Sequence, residues 1–145
     1  LNIRKTEMTP LKALKDCSGD ALRVIILGKP PKLPNRFGRT WLSRHGERKR
    51  WERMVNHALN DFRYWDDPLT KAKLTLVRYS SRQPDEDNLM ASWKPVIDAL
   101  VSYGVIEDDN PKVIVELVSK WRKCKRNEVR IEIVIESLED QPPQQ

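Results

Sequence analysis

Residues 71–109 read KAKLTLVRYSSRQPDEDNLMASWKPVIDALVSYGVIEDD, and the fold turns on how this stretch divides. Lys71 to Tyr79 alternates, with Ala72, Leu74 and Leu76 on one side and Thr75, Val77 and Tyr79 on the other, the period of two that a half-buried strand needs. After Pro84 the period changes. Leu89, Trp93, Ile97, Leu100 and Val101 recur along one stripe of a helix that Gly104 ends. Pro95 lies inside that helix, where it removes a backbone donor and crowds the preceding turn, so the helix is expected to kink or restart near Lys94.

Working outward, Trp51, Met54, Val55, Ala58, Leu59 and Phe62 recur at helical steps and predict an earlier helix, with Ser43 as its N-cap and Asp66, Asp67 and Pro68 ending it. Before it, Leu22 to Leu27 is a β-rich run that meets Gly28, Pro30, Pro31 and Pro34 and must give way to an extended loop. Two more β-rich segments, Lys112 to Lys120 and Glu128 to Glu136, are expected to pair as a hairpin. The order strand, helix, strand, helix, strand, strand predicts an α/β (α+β) two-layer sandwich, with a mixed four-stranded sheet covered on one side by two main helices. Residues 1–20 read as an N-terminal extension at most loosely docked, residues 21–137 as the folded domain, and residues 138–145, rich in Gln and Pro, as a disordered tail.

A chain of 145 residues with 39% hydrophobic and 33% charged residues closes one core. No apolar run approaches the roughly 18 to 20 residues of a bilayer span, so no membrane role is expected. Cys17 and Cys124 are too few and too far apart for a disulfide framework, which suits a reducing compartment. His45 and His57 lack zinc-hydrolase spacing and read as surface residues. No charged-then-apolar leader precedes the first strand, and a cytoplasmic protein is expected.

Charge is unevenly placed. Residues 1–64 carry a net +9 and residues 65–145 a net −3, within a total of +6. A basic surface of this kind suits a polyanion, because Lys and Arg that neutralise phosphates release condensed counterions. The loop after the first strand carries Lys29, Lys32, Arg36 and Arg39 beside Asn35 and Phe37. Further cations sit at the opening of the first helix, Arg44 among them, at Arg82, and in the link of Arg122, Lys123, Lys125 and Arg126.

Against this, seven acids fall between residues 85 and 109 with Lys94 as the one cation among them. Asp87 suits a helix N-cap and Asp85 the positive end of a helix. Glu107, Asp108 and Asp109 follow a helix C-terminus, where they oppose the dipole. A hard divalent cation relieves such repulsion, and Mg²⁺ needs carboxylates, waters and phosphate oxygens rather than imidazole or thiolate. An EF-hand does not fit, since the third ligand, the glycine and the terminal glutamate are missing at the required offsets.

The runs Pro84-Asp85-Glu86-Asp87-Asn88-Leu89, Lys94-Pro95-Val96-Ile97-Asp98-Ala99-Leu100 and Gly104-Val105-Ile106-Glu107-Asp108-Asp109 together resemble the RusA family of Holliday junction resolvases. The similarity covers roughly residues 22–136. It implies a Mg²⁺-dependent, homodimeric endonuclease of phage or prophage type that cuts four-way DNA junctions by paired nicks in recombination and repair, with Mn²⁺ able to substitute. It further implies Asp85, Asp87 and Asp109 as essential metal-site acids, Asp108 beside them, and Lys94 as the catalytic lysine four residues before Asp98. One departure stands out: the family lysine usually lies four residues after the second aspartate of D-x-D, a place held here by Ala91. About three inserted residues, close to one helical turn, would leave Lys94 on the same face but about 4.5 Å further along the axis.

Phosphodiester hydrolysis needs an activated water, a neutralised transition state and a stabilised leaving oxygen. A carboxylate-held cation suits the first two and Lys94 the third, while Lys32, Asn35, Arg36, Arg39, Arg44, Arg82, Arg122, Lys123, Lys125 and Arg126 are the expected phosphate contacts on DNA arms. Two other readings remain open at this point: a Mg²⁺ nuclease of broader specificity on branched DNA, and a DNA-binding protein without catalysis.

Overall fold

The computed structural model describes residues 13–33 and 41–139. Along the chain run β1 (Ala13–Ser18), β2 (Ala21–Leu27), α1 (Trp41–Leu59), β3 (Ala72–Ser80), α2 (Glu86–Ser92), α3 (Lys94–Tyr103), β4 (Ile114–Lys123) and β5 (Arg130–Ser137). Strand alternation decides what the sheet buries. Leu22, Val24 and Ile26 of β2, Ala72, Leu74 and Leu76 of β3, and Ile131, Ile133 and Ile135 of β5 all turn to one face and are fully covered. Register aligns them in rows, with Val24 and Leu76 on either side of Ile133. The helices close this face: Trp51, Val55, Ala58 and Leu59 of α1 and Val96, Ile97, Ala99 and Leu100 of α3 join the same core.

The two-layer sandwich with a mixed sheet is therefore as the pattern predicts, but the sheet has five strands in the order β1-β2-β5-β3-β4, not four. The additional strand is β1, drawn from residues expected in the extension. It pairs with β2 through a two-residue Gly19-Asp20 turn in which Gly19 has a φ of 61°, the left-handed conformation that tight hairpins ask of glycine. The expected hairpin of the last two strands does not form. β4 runs parallel to β3 at the sheet edge, while β5 inserts between β2 and β3, antiparallel to both. Burial explains the choice, because Ile131, Ile133 and Ile135 demand neighbours on both sides, whereas β4 exposes Val115 and suits an edge.

Helix boundaries shift as well. α1 starts at Trp41, so Ser43 lies inside it and is not the N-cap, and it ends at Leu59 before Asn60 and Asp61, both at positive φ. The restart near Lys94 is found: α2 ends at Ser92 and α3 begins at Lys94, with Pro95 in the first turn where its missing N–H costs nothing. Trp93 fills the break. It is wholly buried and its Nε1 donates to Ser119 Oγ of β4 at 2.9 Å, which pins the junction to the sheet.

Cys17 and Cys124 form no disulfide. Among the described residues, no helix is long and apolar enough to cross a membrane. Residues 1–12 and 140–145, parts of the expected extension and tail, lie outside the described residues, as do Asn35, Arg36, Phe37 and Arg39 of the basic loop.

Candidate active site

Register brings the chemistry to one end of the sheet. Leu27 and Tyr79 both pair with Arg130, and Ser80 pairs with Lys123. The loop after β2, the segment after β3 and the link from β4 to β5 therefore leave from the same edge. Lys29, Lys32, Arg82, Asp85, Asp87, Lys123, Lys125 and Arg126 sit on these segments and are exposed, as is Arg122 one residue before the end of β4. The basic link closes through a single 3₁₀ turn, Arg126–Glu128.

Asp85, not Asp87, is the N-cap of α2, with extended backbone at φ −74° and ψ 157°. Its carboxylate caps no amide and instead accepts two contacts from Asn88 Nδ2, at 3.0 and 3.2 Å. Asp87 lies exposed in the first turn. The helix break then moves the lysine. Lys94 does not share a helix with Asp87, because α2 stops before it, so the expected shift along one helix axis is replaced by a change of the element that carries the lysine.

From the first turn of α3, Lys94 Nζ donates to Asp109 Oδ2 at 2.8 Å and contacts Asp98 Oδ1 at 3.1 Å. These bonds, to Asp109 first and Asp98 second, hold the ammonium above its ordinary pKa. The same hydrogen bond and charge hold Asp109 below the usual aspartate range. Asp108 instead organises its neighbours, accepting from the Asp109 amide at 2.7 Å and from Asn110 Nδ2 at 3.1 Å. Asn110 Oδ1 in turn accepts from the amides of Lys112 and Val113. Asp108 thus shapes the turn that presents Asp109.

Beside Lys94 lies a cleft of about 260 Å³ between the opening of α1 and the α2–α3 junction, lined by Arg44, His45, Glu47, Arg48, Ala91, Lys94, Pro95 and Asp98. The expected DNA contact Arg44 and the expected lysine thus line the same cleft from different helices. His45, expected to be a plain surface residue, is half-buried there.

Glu47 and Arg78 were not evident as site residues from sequence. Glu47 is 3% exposed, and it stands four residues before Trp51, so extending the apolar stripe of α1 one turn backwards leads to it. Arg78 is half-buried on β3, and burial holds its pKa below the ordinary value while the Glu47 charge offsets part of that effect.

The expected ligands suit a hard cation in kind, since Asp85, Asp87 and Asp109 are exposed carboxylates, and of the three Asp109 is the one bonded to Lys94. They are not a preassembled centre: among the described residues no three His, Cys, Asp or Glu side chains come together to hold a metal ion. Mg²⁺ tolerates this, because it binds through one or two carboxylates with waters and substrate phosphates completing its shell.

Among curated proteins, none matches the chain. The family model described as Endodeoxyribonuclease RusA matches residues 35–136, which is more than half of the chain and spans both acid triplets, Lys94, the cleft and the basic link. A basic sheet end, a lysine held charged between two aspartates and this match converge: the chain belongs to the RusA endodeoxyribonuclease family.

Proposed function

We propose that the protein is a Mg²⁺-dependent endodeoxyribonuclease that resolves four-way DNA junctions by paired nicks in recombination and repair. The observation that carries this reading is the Lys94 ammonium held by Asp109 and Asp98 on the rim of a cleft that Arg44 and Arg48 also line. A phosphodiester backbone suits this rim, since Arg44, Arg48 and Lys94 outnumber Glu47 and Asp98 among its charged lining residues.

Asp85, Asp87 and Asp109 would hold the cation. When bound, Mg²⁺ supplies charge neutralisation at the scissile phosphate and lowers the pKa of the attacking water. In the hydrolysis, water oxygen bonds to phosphorus and gives up a proton to solvent, the bond to the 3′ oxygen breaks, and that oxygen takes up a proton, leaving a 5′-phosphate and a 3′-hydroxyl. Lys94 is suited to stabilise the departing oxygen, because its exposed ammonium is held beside Asp109, one of the acids that would hold the cation. Arg82, Lys123, Lys125 and Arg126 at the same sheet end are suited to hold the DNA arms by their phosphates, which reads the shape of a junction more than its bases.

Cleavage of junction, flap, fork and linear duplex substrates, each with Mg²⁺, Mn²⁺ or EDTA, tests the reading in one experiment. Metal-dependent, symmetric nicks in the junction with little cutting of duplex are expected. Equal cutting of all branched substrates would replace resolution with a broader nuclease activity, and binding without cutting under every metal condition would leave a DNA-binding protein.

A further inference from the structure

The loop at residues 29–33 has almost nothing to hold it by itself. It contains Pro30 and Pro31, which offer no N–H, and it forms no strand or helix. Yet three of its backbone groups are taken by side chains from other elements. Arg50 Nη2 donates to Lys29 O at 2.7 Å, Arg78 Nη1 donates to Pro31 O at 2.6 Å, and the Lys32 amide donates to Glu47 Oε2 at 2.9 Å. Pro31 is buried beneath while Lys29 and Lys32 stay exposed.

Glu47 is the centre of this arrangement. Its Oε2 also accepts from Trp51 Nε1 and Arg50 Nη1, both at 3.0 Å, and Oε1 accepts from Arg50 Nη1 at 3.2 Å. A carboxylate 3% exposed is costly to bury and tolerable only with partners of this number and charge. Stability alone does not account for it, because a well-packed apolar cluster commonly does as well as a buried ion pair. What apolar side chains cannot do is grip backbone donors and acceptors.

We propose that Glu47 is a positioning residue for DNA binding, which clamps residues 29–33 to α1 so that Lys29 and Lys32 are held ready for backbone phosphates. This rests on the reading of this sheet end as the DNA surface. It deepens that reading by assigning a role to a residue that touches neither DNA nor the reacting atoms. The clamp couples the loop to the cleft, since Glu47 also lines it, on the same helix as Arg44 and Arg48.

The test uses the full chain with Glu47→Ala and Glu47→Gln, the second keeping the shape and one acceptor while losing the charge. Hydrogen exchange at residues 29–33 is measured without DNA, so that it does not depend on function. Affinity for a four-way junction and single-turnover cleavage at saturating junction are measured alongside. In Glu47→Ala, exchange at the Lys32 amide is expected to rise by about tenfold or more and affinity to fall by a similar factor, with Glu47→Gln between it and wild type. Any fall in the cleavage rate at saturation is expected to be smaller than the fall in affinity. Lys32→Ala should weaken binding in the wild-type background and weaken it clearly less in Glu47→Ala, because an unclamped lysine has less to lose.

Unchanged exchange at residues 29–33 in a folded Glu47→Ala protein overturns the clamp, and so does strict additivity with Lys32→Ala. Should Glu47→Ala not fold, Glu47→Gln carries the same comparisons. A wild-type protein that binds no DNA removes the functional reading itself, whereas normal wild-type binding and cleavage with an indifferent loop removes only the clamp.

Discussion

Lys94 Nζ lies 2.8 Å from Asp109 Oδ2, although the body of α3 and the turn after it separate the two residues in the chain. The pair therefore reports how the crossover from β3 to β4 is folded. It also fixes charge, since Lys94 titrates above its ordinary value and Asp109 below its own. Asp109 contributes to stability above the usual aspartate pKa and loses that contribution as pH falls through its lower folded value. Lys94 contributes below the usual lysine pKa and loses it as pH rises through its higher folded value. Both contributions are present at neutral pH. In Lys94→Ala, the Asp109 pKa should climb back toward the usual range, followed by carboxyl-carbon NMR titration; an unmoved Asp109 would dissolve the pairing.

Asp87→Asn and Asp109→Asn should each abolish cleavage while leaving junction affinity unchanged or tighter, because each removes a candidate ligand for Mg²⁺ and a negative charge near DNA. Asp108→Asn should act differently. Its carboxylate accepts from the Asp109 amide and from Asn110, and an asparagine keeps one acceptor, so partial activity is expected. Gel assays of binding and cutting on the same junction separate these outcomes, and full activity in both Asp87→Asn and Asp109→Asn would remove the metal-site assignment.

Period and punctuation made the central elements legible: β3, the two helical stripes, the restart at Pro95 and the stop at Gly104 all follow from local sequence. Pairing did not follow. Nothing local distinguishes a hairpin of β4 and β5 from the insertion of β5 between β2 and β3, since the difference lies in how many neighbours three isoleucines require. β1 was hidden because its mix of charged and small residues carries no alternation and it pairs in the sheet with β2 alone. The acids of the candidate site were visible as types and spacing, while the Lys94–Asp109 contact and the buried Glu47 exist only once tertiary structure brings separate elements together.

The Trp93 break should be costly to empty. Trp93 is wholly buried between α2 and α3 and bonds to β4, so Trp93→Ala is expected to lose about 3–5 kcal/mol. Gly104→Ala should lose about 1–2 kcal/mol, because Gly104 caps α3 at a φ of 95° and an added Cβ would come within 3.0 Å of the Arg63 guanidinium. Urea unfolding followed by tryptophan fluorescence measures both, and a Gly104→Ala protein as stable as wild type would show that the cap does not need glycine.

Binding at the basic sheet end should be electrostatic. Junction affinity is expected to fall steeply with salt, and the slope of log affinity against log salt should lessen by about 0.9 for each phosphate contact removed. Lys123→Ala, at the end of β4, is one test, and Arg36→Ala and Arg39→Ala extend it to the sequence between β2 and α1. A salt-insensitive affinity would point instead to stacking or apolar wedges as the main source of binding.

Assembly follows from the same chemistry. Resolving a four-way junction requires two cuts on strands of like polarity, and a chain with one Lys94–Asp109 site makes one cut at a time. A monomer would have to release and rebind a half-cut junction. An isologous dimer instead matches its two-fold axis to the approximate two-fold symmetry of the junction and presents two sites to one DNA face. Light scattering at micromolar concentration should find a species of twice 17.0 kDa, alone or on junction DNA. A particle of one chain's mass under both conditions would exclude paired nicking by a dimer and leave a nuclease that cuts one strand per encounter.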